Sequence, residues 1–218
     1  DLYAIVDDDK VEQTFAIIGK TLKRLSPIKL KHYTPPHLPW PGVSQTIYKL
    51  ENTSEYLLID FAICQQSNEE KFLQPEIHGN VIYYINKKPI KLQPLDKDKL
   101  NKQIVERLER LQLWSDLVNN FVQKEINRRN SLEAIELYHN VTLANLTAAL
   151  RIKHNPVHHD FRMRYVHYEL PPKTIKKLEN LYYVTNPKEL QQKYDTANQW
   201  FTKTMKELRK TQTSIFGV

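Results

Sequence analysis

"DLYAIV" (Asp1–Val6) and "LLIDFAI" (Leu57–Ile63) share one pattern, an aspartate set against a short run of bulky, strand-forming residues. In the first, Asp1 precedes the run; in the second, Asp60 interrupts it. Apolar runs of this length and composition read as strands, the first of them buried on both faces. A carboxylate in that setting is costly unless a cation or hydrogen-bond donors meet it. If the two strands are neighbours in one sheet, Asp1 and Asp60 can face the same side. Two oxygen ligands so placed suit Mg²⁺, which is held by one or two carboxylates together with substrate phosphates. The competing reading leaves Asp1 at a frayed end and Asp60 at a strand edge, both solvated. The consecutive aspartates Asp7, Asp8 and Asp9 read as a strand-end turn and a helix cap, with Asp9 capping.

Around these strands the first half of the chain alternates strand and helix. Val11, Phe15, Ile18, Leu22 and Leu25 recur at helical spacing. "PIKLKHY" (Pro27–Tyr33) then alternates as a half-buried strand does. "TPPHLPWPG" (Thr34–Gly42) carries four prolines and predicts an extended loop. "VSQTIYKLE" and "EYLLIDFAIC" flank "NTS" (Asn52–Ser54) and predict a hairpin with a short polar turn. "NVIYYINKKPIKL" (Asn80–Leu92) predicts one further strand pair. Past Asp96 the period becomes helical. Leu100, Ile104, Leu108, Leu111, Leu117 or Val118, Phe121 and Ile126 trace one face of a single long helix, ended by "NRRNS". Leu132–Leu150 is apolar on most sides and predicts a buried central helix. Pro172–Leu181 and Pro187–Lys210 predict two more helices, each opened by a proline suited to the first turn. Trp114 and Trp200 read as core residues. The expected organisation is a mixed-sheet α+β domain over residues 1–94 and a helical bundle over residues 95–218.

Composition narrows the chemistry. The 218 residues are 40% hydrophobic and 26% charged, those of a soluble globular protein, with a net charge of +7. The isoelectric point near 9.3 points to an anionic partner. Four glycines, none in a G-x-G-x-x-G or Walker-type arrangement, exclude those phosphate loops from the sequence. The single cysteine, Cys64, excludes a disulfide framework and a cysteine-based zinc site, and reads as a small buried hydrophobe. No apolar run approaches the roughly 20 residues of a membrane helix. The expected setting is cytoplasmic, with no membrane association.

The order strand with aspartate, helix, strand, hairpin with a mid-strand aspartate, helical bundle resembles the polymerase-β-type nucleotidyltransferases. More narrowly, it resembles the small antibiotic nucleotidyltransferases that modify aminoglycosides and lincosamides, and their uncharacterised relatives. "DLYAIVDD" is similar to the family's strand from the second aspartate of its Asp-x-Asp onward, and "LLIDFAI" to its third-carboxylate strand. "ALRIKHNPVHHDFRMRYVHYELPP" resembles part of the C-terminal bundle. The family's Gly-Ser dipeptide and first aspartate have no counterpart, so the resemblance implies an N-terminally incomplete nucleotidyltransferase domain. It further implies Mg²⁺-dependent transfer of a nucleoside monophosphate from a nucleoside triphosphate to a hydroxyl acceptor, with two ions. Asp1 would bind the metals, and Asp60 would bind the metal near the acceptor hydroxyl or act as the base that takes its proton. Lacking the first aspartate, the given chain is expected to be weak or inactive as an enzyme.

"RIKHNPVHHDFRMRYVHY" (Arg151–Tyr168) gathers the remaining candidates. Arg151, Lys153, His158, Arg162 and Arg164 are the candidate phosphate-binding residues, arginine offering forked contacts. The plainer reading is a solvated basic loop anchored by Phe161, Tyr165 and Tyr168. Trp40, with His37 in the proline-rich loop, and Tyr138, on the central helix, are acceptor-site candidates. Two rival functions stand beside this one. His139, the His159–Asp160 dipeptide and Asp195 are residue types found in His-Asp metal-dependent phosphohydrolases. The basic helical half would alternatively be a non-catalytic module binding RNA or a protein.

Overall fold

The computed structural model describes residues 1–36, 40–87, 90 and 93–211. The chain forms two compact units, one of residues 1–74 and 84–92, the other of residues 75–83 and 93–218.

The first unit is a four-stranded mixed sheet in the order β1-β4-β3-β2, with one helix on it. β1 (Leu2–Val6) runs parallel to β4 (Ile59–Gln65), with Leu2 opposite Phe61 and Val6 opposite Gln65. β3 (Val43–Leu50) is antiparallel to β4, and β2 (Ile28–Thr34) is antiparallel to β3. α1 (Val11–Leu25) buries Val11 and Phe15 against Tyr48, Phe61 and Ile63. β3 shows the cause in its alternation: Ser44, Thr46, Tyr48 and Leu50 are buried, while Val43, Gln45, Ile47 and Lys49 are half-buried. A sheet with one helix-covered face leaves polar side chains free to stand on the other.

Several expectations are corrected here. β1 is not buried on both faces: it stands at an end of the strand order, and Leu2 is 43% exposed. Asp9 does not cap α1. It pairs with Lys10 at 3.2 Å, and Asp8 instead accepts hydrogen bonds from the backbone N–H and hydroxyl of Ser67. These bonds hold the Asp8 carboxyl below its usual range. The β3–β4 connection is no tight hairpin, because residues 51–58 form a loop in which Tyr56 is almost fully exposed. Lys49 Nζ donates to the Glu55 carbonyl at 2.5 Å and Asn52 N–H to Ser26 Oγ at 3.1 Å, fixing that loop outside the sheet. The strand pair expected over Asn80–Leu92 is absent from its described residues, where Ile82, Tyr84 and Ile85 lie exposed without a pairing strand. Residues 88, 89, 91 and 92, like His37, lie outside the described residues.

The second unit is helical: α2 (Pro75–His78), α3 (Lys97–Val118), α4 (Asn120–Arg128), α5 (Ser131–Leu137), α6 (Ala144–His154), α7 (Val166–Glu169), α8 (Pro172–Tyr182) and α9 (Pro187–Thr211). Asp96 caps α3, accepting from Lys99 N–H at 2.9 Å. α5 and α6 are joined without a break by a π-helical stretch, Tyr138–Leu143, in which Ala144 N–H reaches back to the His139 carbonyl. As the sequence predicts, this combined helix forms the centre of the core, with Leu143, Leu146 and Leu150 fully buried among Leu178, Leu190, Phe201 and Met205.

The single long helix expected from Leu100 onward is instead two. Asn119 divides them, accepting from Thr142 Oγ1 at 2.5 Å, donating to Asn198 Oδ1 at 2.6 Å and lending its carbonyl to Tyr194 OH at 3.0 Å. The buried stripe changes phase there, so Leu117 and Phe121 are exposed while Val122 is buried. Trp114, on the outer side of α3, is 51% exposed and is not a core residue. Arg129 closes α4 in the left-handed region at φ 65°. Beside it, buried Glu125 accepts from Asn130 Nδ2 at 2.8 Å and Arg128 Nη1 at 3.0 Å, which holds its carboxyl low. No described helix is long and apolar enough to cross a membrane.

Candidate active site

β4 carries Phe61 and Ile63 toward α1, so strand alternation places Asp60 on the opposite, open face. Gln45, on neighbouring β3, pairs in register with Ala62 and stands on that same face. Its Nε2 donates to both Asp60 oxygens, at 2.7 and 2.8 Å, holding the half-buried carboxylate to the sheet. On the other side of β4, Leu2 is the parallel partner of Phe61. Asp1 is exposed and lies just before β1, and only extending the register back by one residue would set it beside Asp60. The strands that would carry a shared site, β1 and β4, are neighbours in the sheet.

The donors fit a hard cation. Carboxylate oxygens suit Mg²⁺, and a site of one or two carboxylates leaves its other positions to water and substrate phosphates. Among the described residues no group of three or more His, Cys, Asp or Glu side chains assembles that could hold a metal.

Further along the same face, Tyr3 OH donates to the Lys71 carbonyl at 2.8 Å. Burial, then its neighbour Cys64, pushes this phenol above the usual tyrosine range. Lys71 Nζ gathers the carbonyls of Gln65, Gln66 and Asn68, tying the segment after β4 into a tight loop. Trp40 packs edge-on against Phe72 of that loop, ring centroids 5.0 Å apart, and keeps 48% of its surface exposed. Gly42 makes the approach possible. It sits at φ +73°, and a Cβ there would lie 2.6 Å from Asn68 Nδ2. Asn68 Nδ2 in turn donates to the Pro41 carbonyl at 2.8 Å.

The basic candidates lie in the helical unit and do not converge. Arg151 is fully buried. It donates from Nη1 to Glu169 Oε2 at 2.5 Å and from Nε to the Arg162 carbonyl at 2.6 Å. His158 stacks on Phe161 at 4.1 Å, with Nδ1 against Glu169 Oε1 at 2.5 Å and Nε2 against the Ile77 carbonyl at 2.9 Å. Both side chains serve to fold the loop back on α6, and neither offers a free donor face to solvent. Arg162 is exposed at φ +52°, and Arg164 spreads over the rings of Phe161 and Tyr165. Lys153 lies apart from these, paired with Glu207 at 2.7 Å. Tyr138 is fully buried and donates to the Leu181 carbonyl at 2.9 Å. Its burial pushes the phenol up and leaves no surface on which an acceptor could dock.

The phosphohydrolase ligand set is not assembled among the described residues. His139 stacks on Tyr182, its Nε2 3.1 Å from that residue's carbonyl, while Asp195 accepts from Gln191 at 3.1 Å. Burial holds His159 below the usual histidine range.

Two residues that organise these clusters escape a reading of the sequence. Gln45 has no local signature, and only the β3–β4 register assigns it to Asp60. Glu169 lies 18 positions from Arg151. A carboxylate at the end of a strongly basic segment is the one signal that could have marked it.

No protein-family model matches the sequence, and no curated protein does. Among solved structures, the chain is similar to the crystal structure of an aminoglycoside 6-adenyltransferase from Bacillus subtilis. That likeness has a TM-score of 0.39 and 14% identity, covering 95% of this chain and 79% of the other. At that distance it carries no argument about the activity of this chain.

Proposed function

We propose that this chain is a nucleotidyltransferase that moves a nucleoside monophosphate from a nucleoside triphosphate to a hydroxyl acceptor. The observation that carries the reading is Asp60 on the open face of β4, steadied by Gln45, with β1 parallel beside it and Asp1 immediately ahead of that strand. The strand motifs resembling the polymerase-β-type enzymes supply the reaction class. Mg²⁺, when bound by the two carboxylates, would neutralise the triphosphate and favour ionisation of the acceptor hydroxyl. Asp60 takes the hydroxyl proton as the acceptor oxygen bonds to the α-phosphorus and pyrophosphate departs. Gln45 keeps one edge of the Asp60 carboxylate occupied, so the other edge faces the acceptor. Trp40, half-exposed above Phe72, is the acceptor-side candidate that remains in this unit. The net charge of +7 fits a neutral or anionic acceptor better than a cationic aminoglycoside.

The test is incubation of the protein with labelled ATP, GTP, CTP and UTP in turn, with Mg²⁺ and with EDTA. At least one nucleotide should bind in a Mg²⁺-dependent way, and Asp60→Asn should abolish that dependence. Gln45→Ala should weaken it by about tenfold, the usual scale for a residue that orients a metal ligand. Failure of all four nucleotides to bind, or an Asp60→Asn protein indistinguishable from wild type, would sink the assignment.

A further inference from the structure

The end of α6, the middle of α8 and the second half of α9 enclose a groove of about 310 Å³ whose walls include Lys153, Lys177, Trp200, Lys203 and Glu207. A shallower groove of about 600 Å³ runs on along the outer side of α9, where Lys206 and Lys210 join Lys203. Five lysines therefore share these walls with one carboxylate. Glu207 is already engaged by Lys153 at 2.7 Å, which holds its carboxyl low. Lys177 Nζ lies 4.0 Å from the centre of the Trp200 ring, a cation–π contact that fixes its ammonium on the groove wall. Lys203, Lys206 and Lys210 have no ion-pair partner among the described residues and stand exposed.

Like charges at this spacing on a helix repel one another, so an anion in the groove removes a cost intrinsic to the folded chain. The arrangement also says what kind of anion. A single phosphate is best held by cations converging on one point. These are strung out instead: Lys203, Lys206 and Lys210 advance by about 4.5 and then 6 Å along the helix axis. Lysines are point charges without the forked geometry that arginine uses to select a phosphate or a base edge. A row of them follows a chain of phosphates without reading its sequence. Trp200 packs against the helical core and carries the Lys177 ammonium on its ring, and a groove of about 310 Å³ has room for one unpaired strand rather than a duplex.

We propose that the α6–α8–α9 groove binds the phosphate backbone of a single-stranded nucleic acid, independently of its sequence and of the carboxylate pair in the sheet unit. Lys177, Lys203, Lys206 and Lys210 supply the charge, and Lys153 with Glu207 closes one end. With about four phosphates neutralised, the logarithm of affinity should fall with the logarithm of salt concentration at a slope of about −3.

The test is fluorescence anisotropy of a labelled 12-nucleotide oligouridylate titrated with the full chain across a salt series. Wild type should bind with that slope. The exposed triple variant Lys177→Gln/Lys203→Gln/Lys206→Gln should lose about tenfold or more in affinity, with a slope reduced by about 2. Asp60→Asn should bind as wild type does, which separates this site from the proposed nucleotidyl-transfer site. Arg162→Gln/Arg164→Gln, on the other basic surface, should also bind as wild type. The proposal is overturned if the oligonucleotide fails to bind at low salt, or if the lysine variant binds as wild type. It is likewise overturned if the Arg162/Arg164 variant is the one that loses binding. Displacement by inorganic tripolyphosphate at equal phosphate concentration would also overturn it, by identifying a site for free oligophosphates.

Discussion

Arg151 and Asp60 are ionisable groups set among apolar residues, each kept there by a different kind of neighbour. Asp60 keeps its carboxylate partly exposed and is met by a neutral amide, Gln45 Nε2. Arg151 is sealed from solvent and met by an ionised partner, Glu169, together with backbone carbonyls. Such a guanidinium is a structural tie. Replacing Arg151 by Met should destabilise the protein by about 3–5 kcal/mol, because Glu169 loses its guanidinium partner and keeps only His158 Nδ1 beside a largely buried carboxylate. Urea unfolding measures this, and Arg151→Met/Glu169→Gln should recover part of the loss. Recovery of none would mean that the pair is not coupled. The contrast explains what was legible at this scale. Asp60 announces itself, because the residues on both sides of it are apolar and adjacent in sequence. Arg151 sits in a basic segment whose local charge reads as solvated, and its burial depends on Glu169 and a loop that returns from a distance.

Among the elements, those with local punctuation were readable. α8 and α9 begin at the prolines that predict them, and the core stripe of α3 follows Leu100, Ile104, Leu108 and Leu111 as spaced. The misreadings share one cause, a tertiary partner that local pattern cannot contain. Asn119 divides α3 from α4 because Thr142, Asn198 and Tyr194 bind it, and residues 80–87 pair with no strand among the described residues. The start of α9 yields a pH prediction. Asn186 Oδ1 accepts from Glu189 N–H at 3.0 Å, while Glu189 accepts from Lys193 Nζ at 2.8 Å and from Thr185 N–H and Oγ1. Lys193 first, then Thr185, lowers the Glu189 carboxyl from 4.5 to about 2. A carboxyl depressed in the folded state contributes stability that is present above its unfolded value and lost as pH falls through the folded one. Stability should therefore decline from pH 4.5 toward about 2, and Glu189→Gln should flatten that part of the curve. An unchanged acid limb in the variant would exclude Glu189 as a contributor.

At the scale of the whole molecule the two units differ in what holds them. The helical unit has one large cluster centred on Leu143, Leu146 and Leu150. The sheet unit rests on a small one of Val11, Phe15, Tyr48, Phe61 and Ile63. Ile63 is fully buried in the smaller cluster, and Ile63→Ala should cost that unit about 2–5 kcal/mol. Hydrogen exchange read by peptide mass should show the amides of β3 and β4 exchanging faster while those of α6 keep their protection. Equal loss of protection in both would show that the clusters act as one. Each half of the chain was legible as to class, sheet first and helices after. Its patterns come from periodicities of two and of about three and a half residues, which need no knowledge of partners.

The π-helical stretch Tyr138–Leu143 has a consequence for how this chain tolerates insertions and deletions. A π turn closes its ring over one residue more than an α turn does, so it absorbs an extra residue while the α-helical turns on either side stay in phase. Losing one residue within this stretch would return the helix to ordinary α geometry with Arg151 still directed at Glu169. Losing one elsewhere between Leu143 and Arg151 would turn the remainder of α6 by about 100°, directing Arg151 away from Glu169 in a stretch buried on all sides. Chain length in the central helix is thus negotiable at one turn and fixed in the turns that follow it.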